Sequence, residues 1–121
     1  MRAFIISASL VLASAPGGGE NAQKAYSANS RVPGCHGFLD NAGPLFPAGQ
    51  CDGLVEGIVI GIEMRSMELK APLPFCIPKA ATNSQMVRVV VQYIEQRPQR
   101  MHEQFTKLAY EALKEAWPCK P

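Results

Sequence analysis

"CIPKAATNSQMVRVVVQYIEQRPQRMHEQFTKLAYEALKEAWPC", residues 76–119, begins and ends on a cysteine, and the pattern between the two decides the fold. Thr82 followed three residues later by Gln85 is a capping-box signature: each side chain can satisfy a backbone N–H left unpaired at a helix start. Met86, Val87, Val90, Val91 and Ile94 then recur at helical spacing with Tyr93 alongside, which predicts a helix over about 83–97. The Val89-Val90-Val91 centre could belong to a strand, but the cap ahead of it and the polar residues spaced through it favour helix. Pro98 interrupts, and proline is tolerated in the first turn of a new helix. From there Met101, Phe105, Leu108, Ala109, Ala112, Leu113, Ala116 and Trp117 trace an amphipathic stripe that Pro118 ends. A helix of about 20 residues, roughly 30 Å long, is predicted there.

Two such helices joined at Pro98 make an antiparallel hairpin. Cys76 stands before the entrance of the first and Cys119 just after the exit of the second, so a bridge between them would clamp the open end. Closing a loop of that length contributes about 4 kcal/mol in the chain-entropy view. Against a total stability of ~5–15 kcal/mol for a small domain, that is a large share.

Upstream, Leu54, Val55, Ile58, Val59, Ile62 and Met67 predict another helix over about Gln50–Leu69. Gly53, Gly57 and Gly61 recur every fourth residue and make one smooth face, at a cost of roughly 1 kcal/mol each against alanine. Close approach of another helix backbone would compensate, either within the monomer or in a dimer. Within-monomer packing is the expectation, and Glu56 and Glu63 argue against a stable membrane span. Pro72, Pro74 and Pro78 make the following stretch an extended connector. Before the glycine helix, "CHGFLDNA" predicts a short first helix, and "GPLFPAG" a loop. Residues 23–34, small and polar and ending in Pro33-Gly34, read as a flexible lead-in.

The first residues, "MRAFIISASLVLASAPGGGENA", have Arg2, an apolar run from Ala3 to Ala15 and small residues at Ala13-Ser14-Ala15, the layout of a secretory signal peptide over 1–22. Pro16 disfavours a cut directly after Ala15, and a cut after Ala22 is the alternative. Export gives the four cysteines, Cys35, Cys51, Cys76 and Cys119, their meaning: an even number in an oxidising compartment reads as two disulfides, with three connectivities. No CxxC pair supports zinc. If Cys76 pairs with Cys119, Cys35 and Cys51 pair by elimination. The chain is thus expected to be all-α, a small disulfide-stapled bundle of about four helices, with its domain over residues 35–121.

The stretch from Phe75 to Cys119 also resembles the Rap/Tai family, the resistance-associated immunity proteins of type VI secretion. The likeness rests on Cys76-Ile77-Pro78, Thr82 with Gln85, Val89-Val90-Val91 leading to Tyr93, Pro98 with His102, and Ala112-Leu113 leading to Pro118-Cys119. "GQCDGLVEGIVIG", Gly49 to Gly61, resembles the family's Gly-x-Cys-x-Gly helix. Together these cover roughly residues 35–119. The resemblance implies a small exported helical protein, commonly a dimer, that binds and blocks a secreted peptidoglycan amidase in the periplasm. The matching positions are framework ones, so no effector-contacting residue follows from them.

The residues offer little for other functions. A net charge of +2 with no basic stripe gives no argument for nucleic acid. Cys35-His36 could be a nucleophile and its base, but adjacent side chains point apart and Cys35 is expected in a disulfide. His102 has no second histidine four residues away, and reads as a surface group. Glu111 with Lys107 and Lys114 reads as helix-surface pairing, beside Glu115, and not as paired acid/base carboxylates. Gly17–Gly19 lacks the Lys-Ser/Thr ending of a phosphate loop, so no cofactor is expected. Trp117 reads as a core anchor. The chain is therefore read as a binding protein and not an enzyme. The competing function is a periplasmic helical stress or chaperone-like protein with no dedicated toxin partner.

Overall fold

The computed structural model describes residues 24–120; the signal peptide expected over 1–22 lies outside them. Among the described residues there are four α-helices and no named strand: α1 Ala28–Asp40, α2 Leu45–Leu69, α3 Asn83–Glu95 and α4 Phe105–Ala116, with a 3-10 turn at Pro98–Arg100. The protein is an all-α bundle of two hairpins, α1 with α2 and α3 with α4.

Helix α3 starts where local chemistry says it should. Thr82 Oγ1 accepts from the Gln85 amide at 3.2 Å, and Gln85 Oε1 accepts from the Thr82 amide at 2.8 Å. Its buried stripe, Met86, Val87, Val90, Val91 and Ile94, meets Phe105, Leu108, Ala109, Ala112 and Leu113 of α4 in one core. Each large side chain buried there stabilises the fold by about 1.5–3 kcal/mol through removal from water.

Helix α4 is shorter than its apolar stripe suggests. Pro98 opens a 3-10 turn, and α-helix begins only at Phe105. The backbone between is paired elsewhere: Ala28 N–H donates to Glu103 O and Asn29 N–H to Met101 O, both at 2.9 Å, and Phe105 N–H donates to Tyr26 O at 2.9 Å. The Phe105 amide, given to Tyr26 O, does not donate to Met101 O as an α-helical turn would require, and the Met101 and Glu103 carbonyls accept instead from the first two amides of α1. The same bonds correct the reading of residues 23–34 as a flexible lead-in. Ser27 caps α1 by accepting from the Ser30 amide, and Ala28, Val32 and Gly34 are buried. Helix α1 runs through Pro33-Gly34, which as a dipeptide had suggested a break.

Helix α2 also begins earlier than its periodicity suggests, at Leu45, with Pro47 in the first turn where its missing N–H costs nothing. Two bridges staple the bundle. Cys35–Cys51 joins α1 to α2 (Cα–Cα 5.1 Å) and is fully buried, while Cys76–Cys119 joins the proline-rich connector to the end of α4 (Cα–Cα 4.8 Å). Cys76 N–H also donates to Trp117 O at 2.8 Å.

Candidate partner-binding face

Only two residues of the 25 in α2, Cys51 and Val55, are buried, with Leu54, Ile58, Val59 and Ile62 packed against the core behind them. These fix which side faces inward. On the opposite side Phe46, Gly49, Gly53, Gly57, Ile60, Met64 and Met67 recur at intervals of three and four, so they form one stripe along the helix. All seven are exposed, Phe46 by 75%, Met64 by 61% and Met67 by 72%; Leu45 at the helix start is 87% exposed. Glu56 and Glu63 border the stripe without entering it.

The expectation that Gly53, Gly57 and Gly61 would pack against another helix of the monomer is corrected here. A Cβ built on any of them, or on Gly49, meets nothing within 4 Å among the described residues. The close approach lies elsewhere, where Gly34 of α1 meets the Pro47 backbone. Periodicity put the three glycines on one face; it could not say whether that face pointed inward. Four exposed glycines in one helix cost roughly 1 kcal/mol each against alanine, and nothing among the described residues offsets them. A contiguous exposed apolar surface of this kind is the ordinary mark of an interaction site.

The face continues at its N-terminal end into a cleft of about 280 Å³ at the α1–α2 elbow, lined by Phe38, Asn41, Leu45, Ala48 and Gly49 among others. That is small against the roughly 300–1,000 Å³ of small-molecule sites. By length and composition α2 could also cross a membrane, but here its inner side is bridged through Cys51 to α1 and holds Val55 in the core.

The charged residues are used in the hairpin of α3 and α4. Arg100 is the hub: its Nε donates to Glu103 Oε1 at 2.7 Å and its Nη1 to Glu111 Oε2 at 2.8 Å. Tyr93 Oη donates to the same Glu111 oxygen at 2.9 Å, and Lys107 Nζ donates to Glu103 Oε2 at 2.8 Å. The Arg100 hydrogen bond, then that from Lys107, lowers the Glu103 carboxyl to about 2. Glu111 is lowered chiefly by its hydrogen bond from Arg100, and the Tyr93 phenol is raised, first by burial and then by its bond to Glu111. Glu111 therefore belongs to this inter-element cluster and not to surface pairs with Lys107 and Lys114; Lys107 pairs with Glu103, and Glu115 with Arg97 at 3.3 Å.

The remaining candidates are placed apart. Cys35 is bonded to Cys51 and has no thiol to act as a nucleophile, while His36 turns away to Glu95 of α3. His102 is exposed, and Trp117 is half-buried against the core. Among the described residues no group of three or more His, Cys, Asp or Glu is placed to hold a metal ion.

The family model for the Rap1a immunity proteins matches residues 34–119. No curated protein and no solved structure matches the chain.

Proposed function

The chain belongs to the Rap1a immunity protein family, and from that premise we propose that it is exported to the periplasm, where it binds a type VI secreted peptidoglycan amidase and occludes its active site. It acts by binding and not by catalysis. The observation that carries this reading is the outward face of α2, where Leu45, Phe46, Ile60, Met64 and Met67 are exposed beside four glycines that no contact among the described residues requires. Large apolar side chains around a smooth strip supply anchors and a close-approach surface, the pattern by which a few residues carry most of an interface's energy.

The test is capture from the organism's own secreted and periplasmic proteins under non-reducing conditions, followed by calorimetric titration. One retained wall amidase, bound stoichiometrically and losing its activity, is the expected result. Weak binding to many unfolded clients would instead indicate the stress or chaperone-like function.

A second copy of the chain is the other occupant that this face favours, for a specific reason. In an antiparallel pairing centred between Glu56 and Gly57, Ile60 falls opposite Gly53, Met64 opposite Gly49, and Met67 opposite Phe46. Bulky residues of one copy then meet glycines of the other at two positions on each side, the self-complementarity that a two-fold interface needs. Sedimentation over a concentration series, with and without the effector, distinguishes a dimer that coexists with effector binding from one that competes with it.

A further inference from the structure

The two disulfides differ in their exposure. Cys35 and Cys51 are 0% and 1% exposed, sealed between α1 and α2. Cys76 is exposed and Cys119 half-buried. Cys76 sits in a stretch, Leu73–Pro78, whose prolines at 74 and 78 donate nothing; the Cys76 amide donates to Trp117 O, and Pro78 O accepts from the Ala81 amide. An open cleft of about 220 Å³ lined by Val59, Glu63, Leu73, Phe75 and Ile77 lies against Cys76.

We propose that Cys76–Cys119 is a thiol–disulfide exchange site, open to a dithiol oxidoreductase of the exported compartment, while Cys35–Cys51 is a permanent staple. Exchange requires a thiolate to reach one sulfur of the pair, so access decides which bridge reacts. The attacking thiolate bonds to Cys76 Sγ, the Cys76–Cys119 bond breaks, and Cys119 leaves as a thiolate. Once protonated, the Cys119 thiol has an acceptor in reach, because its Sγ lies 3.5 Å from Leu73 O. The second thiol of the reductant, as thiolate, then attacks its own partner sulfur in the mixed disulfide and expels Cys76, which takes up a proton. The dithiol ends as a disulfide, and its two electrons and two protons reside on Cys76 and Cys119.

The consequence is local. After reduction the connector keeps Phe75, 3% exposed and edge-to-face with Tyr110 at 5.9 Å, and the Cys76–Trp117 backbone bond. The α3–α4 hairpin loses the clamp at its open end, while α1 and α2 remain bridged. The exchange site thus loosens one end of the bundle without unfolding it.

The oxidised full chain is treated with graded dithiothreitol, quenched with an alkylating agent at timed intervals and mapped by mass spectrometry. Cys76 and Cys119 are expected to be labelled about tenfold or more faster than Cys35 and Cys51. Labelling of all four together, or of Cys35 and Cys51 first, would overturn the assignment. A thioredoxin whose second active-site cysteine is replaced by serine should be trapped on Cys76; trapping on Cys119, or none, would contradict the proposed point of attack. Neither readout depends on any effector, so the result stands apart from the immunity function.

Discussion

Gly34 of α1 lies so close to Pro47 of α2 that a Cβ on Gly34 would sit 2.4 Å from the Pro47 carbonyl oxygen and 2.8 Å from its carbonyl carbon. Both atoms are backbone, one turn from the Cys35–Cys51 bridge, and neither can swing aside. Gly34→Ala is therefore expected to destabilise the fold by about 1–3 kcal/mol, as overpacking does. Gly57→Ala is the opposite case, since its added methyl meets open space and alanine favours helix by roughly 1 kcal/mol. Urea unfolding of the two variants should move the midpoint in opposite directions. A stabilising Gly34→Ala would show that α1 and α2 are not in close contact.

The cap of α3 rests on two reciprocal hydrogen bonds through Thr82 and Gln85. Thr82→Ala removes the acceptor for the Gln85 amide and should cost about 1 kcal/mol. Thr82→Ser keeps the oxygen and should restore most of it. Thermal unfolding followed by circular dichroism distinguishes them.

Acid should loosen the hairpin of α3 and α4. Glu103 ionises at about 2 in the folded protein, against an ordinary value of 4.5, because it accepts from Arg100 and Lys107. Its folded value lies below its unfolded one, so its contribution is complete above about pH 5 and is lost as pH falls toward 2. Glu111, lowered by Arg100, adds in the same direction. The thermal midpoint should fall between pH 5 and pH 2, and Glu103→Gln should flatten that dependence. An unchanged slope in the variant would show that the Arg100 cluster does not couple acid to stability.

How much of this was legible in the chain depends on how local each cause is. The cap at Thr82, the break at Pro98 and the apolar stripe from Phe105 to Leu113 are properties of neighbouring residues, and the all-α hairpin architecture follows from them. The start of α4 is not local: Met101, Glu103 and Phe105 exchange backbone hydrogen bonds with Tyr26, Ala28 and Asn29, far away in sequence. The same bonds, with the burial of Ala28 and Val32, make a helix out of a segment whose Pro33-Gly34 signalled a loop. The candidate face shows the limit most plainly. Spacing aligned Gly53, Gly57 and Gly61, but a helix apolar on most sides gives no sign of which side the core will take. Only the placement of Cys51 and Val55 turns the glycines outward.

The central claim is that the outward face of α2 binds the partner, and it is tested most directly by charged substitution there. Phe46→Asp and Met64→Asp change exposed side chains, 75% and 61% accessible, and should leave unfolding within about 0.5 kcal/mol of the original protein. Titrated against the captured wall amidase while its activity is followed, the original protein should abolish cleavage at one equivalent. Each variant should weaken binding by at least about tenfold, or 1.4 kcal/mol, and protect correspondingly less. Full affinity and full inhibition by both variants, with folding unchanged, would contradict the account and place the binding surface elsewhere on the bundle.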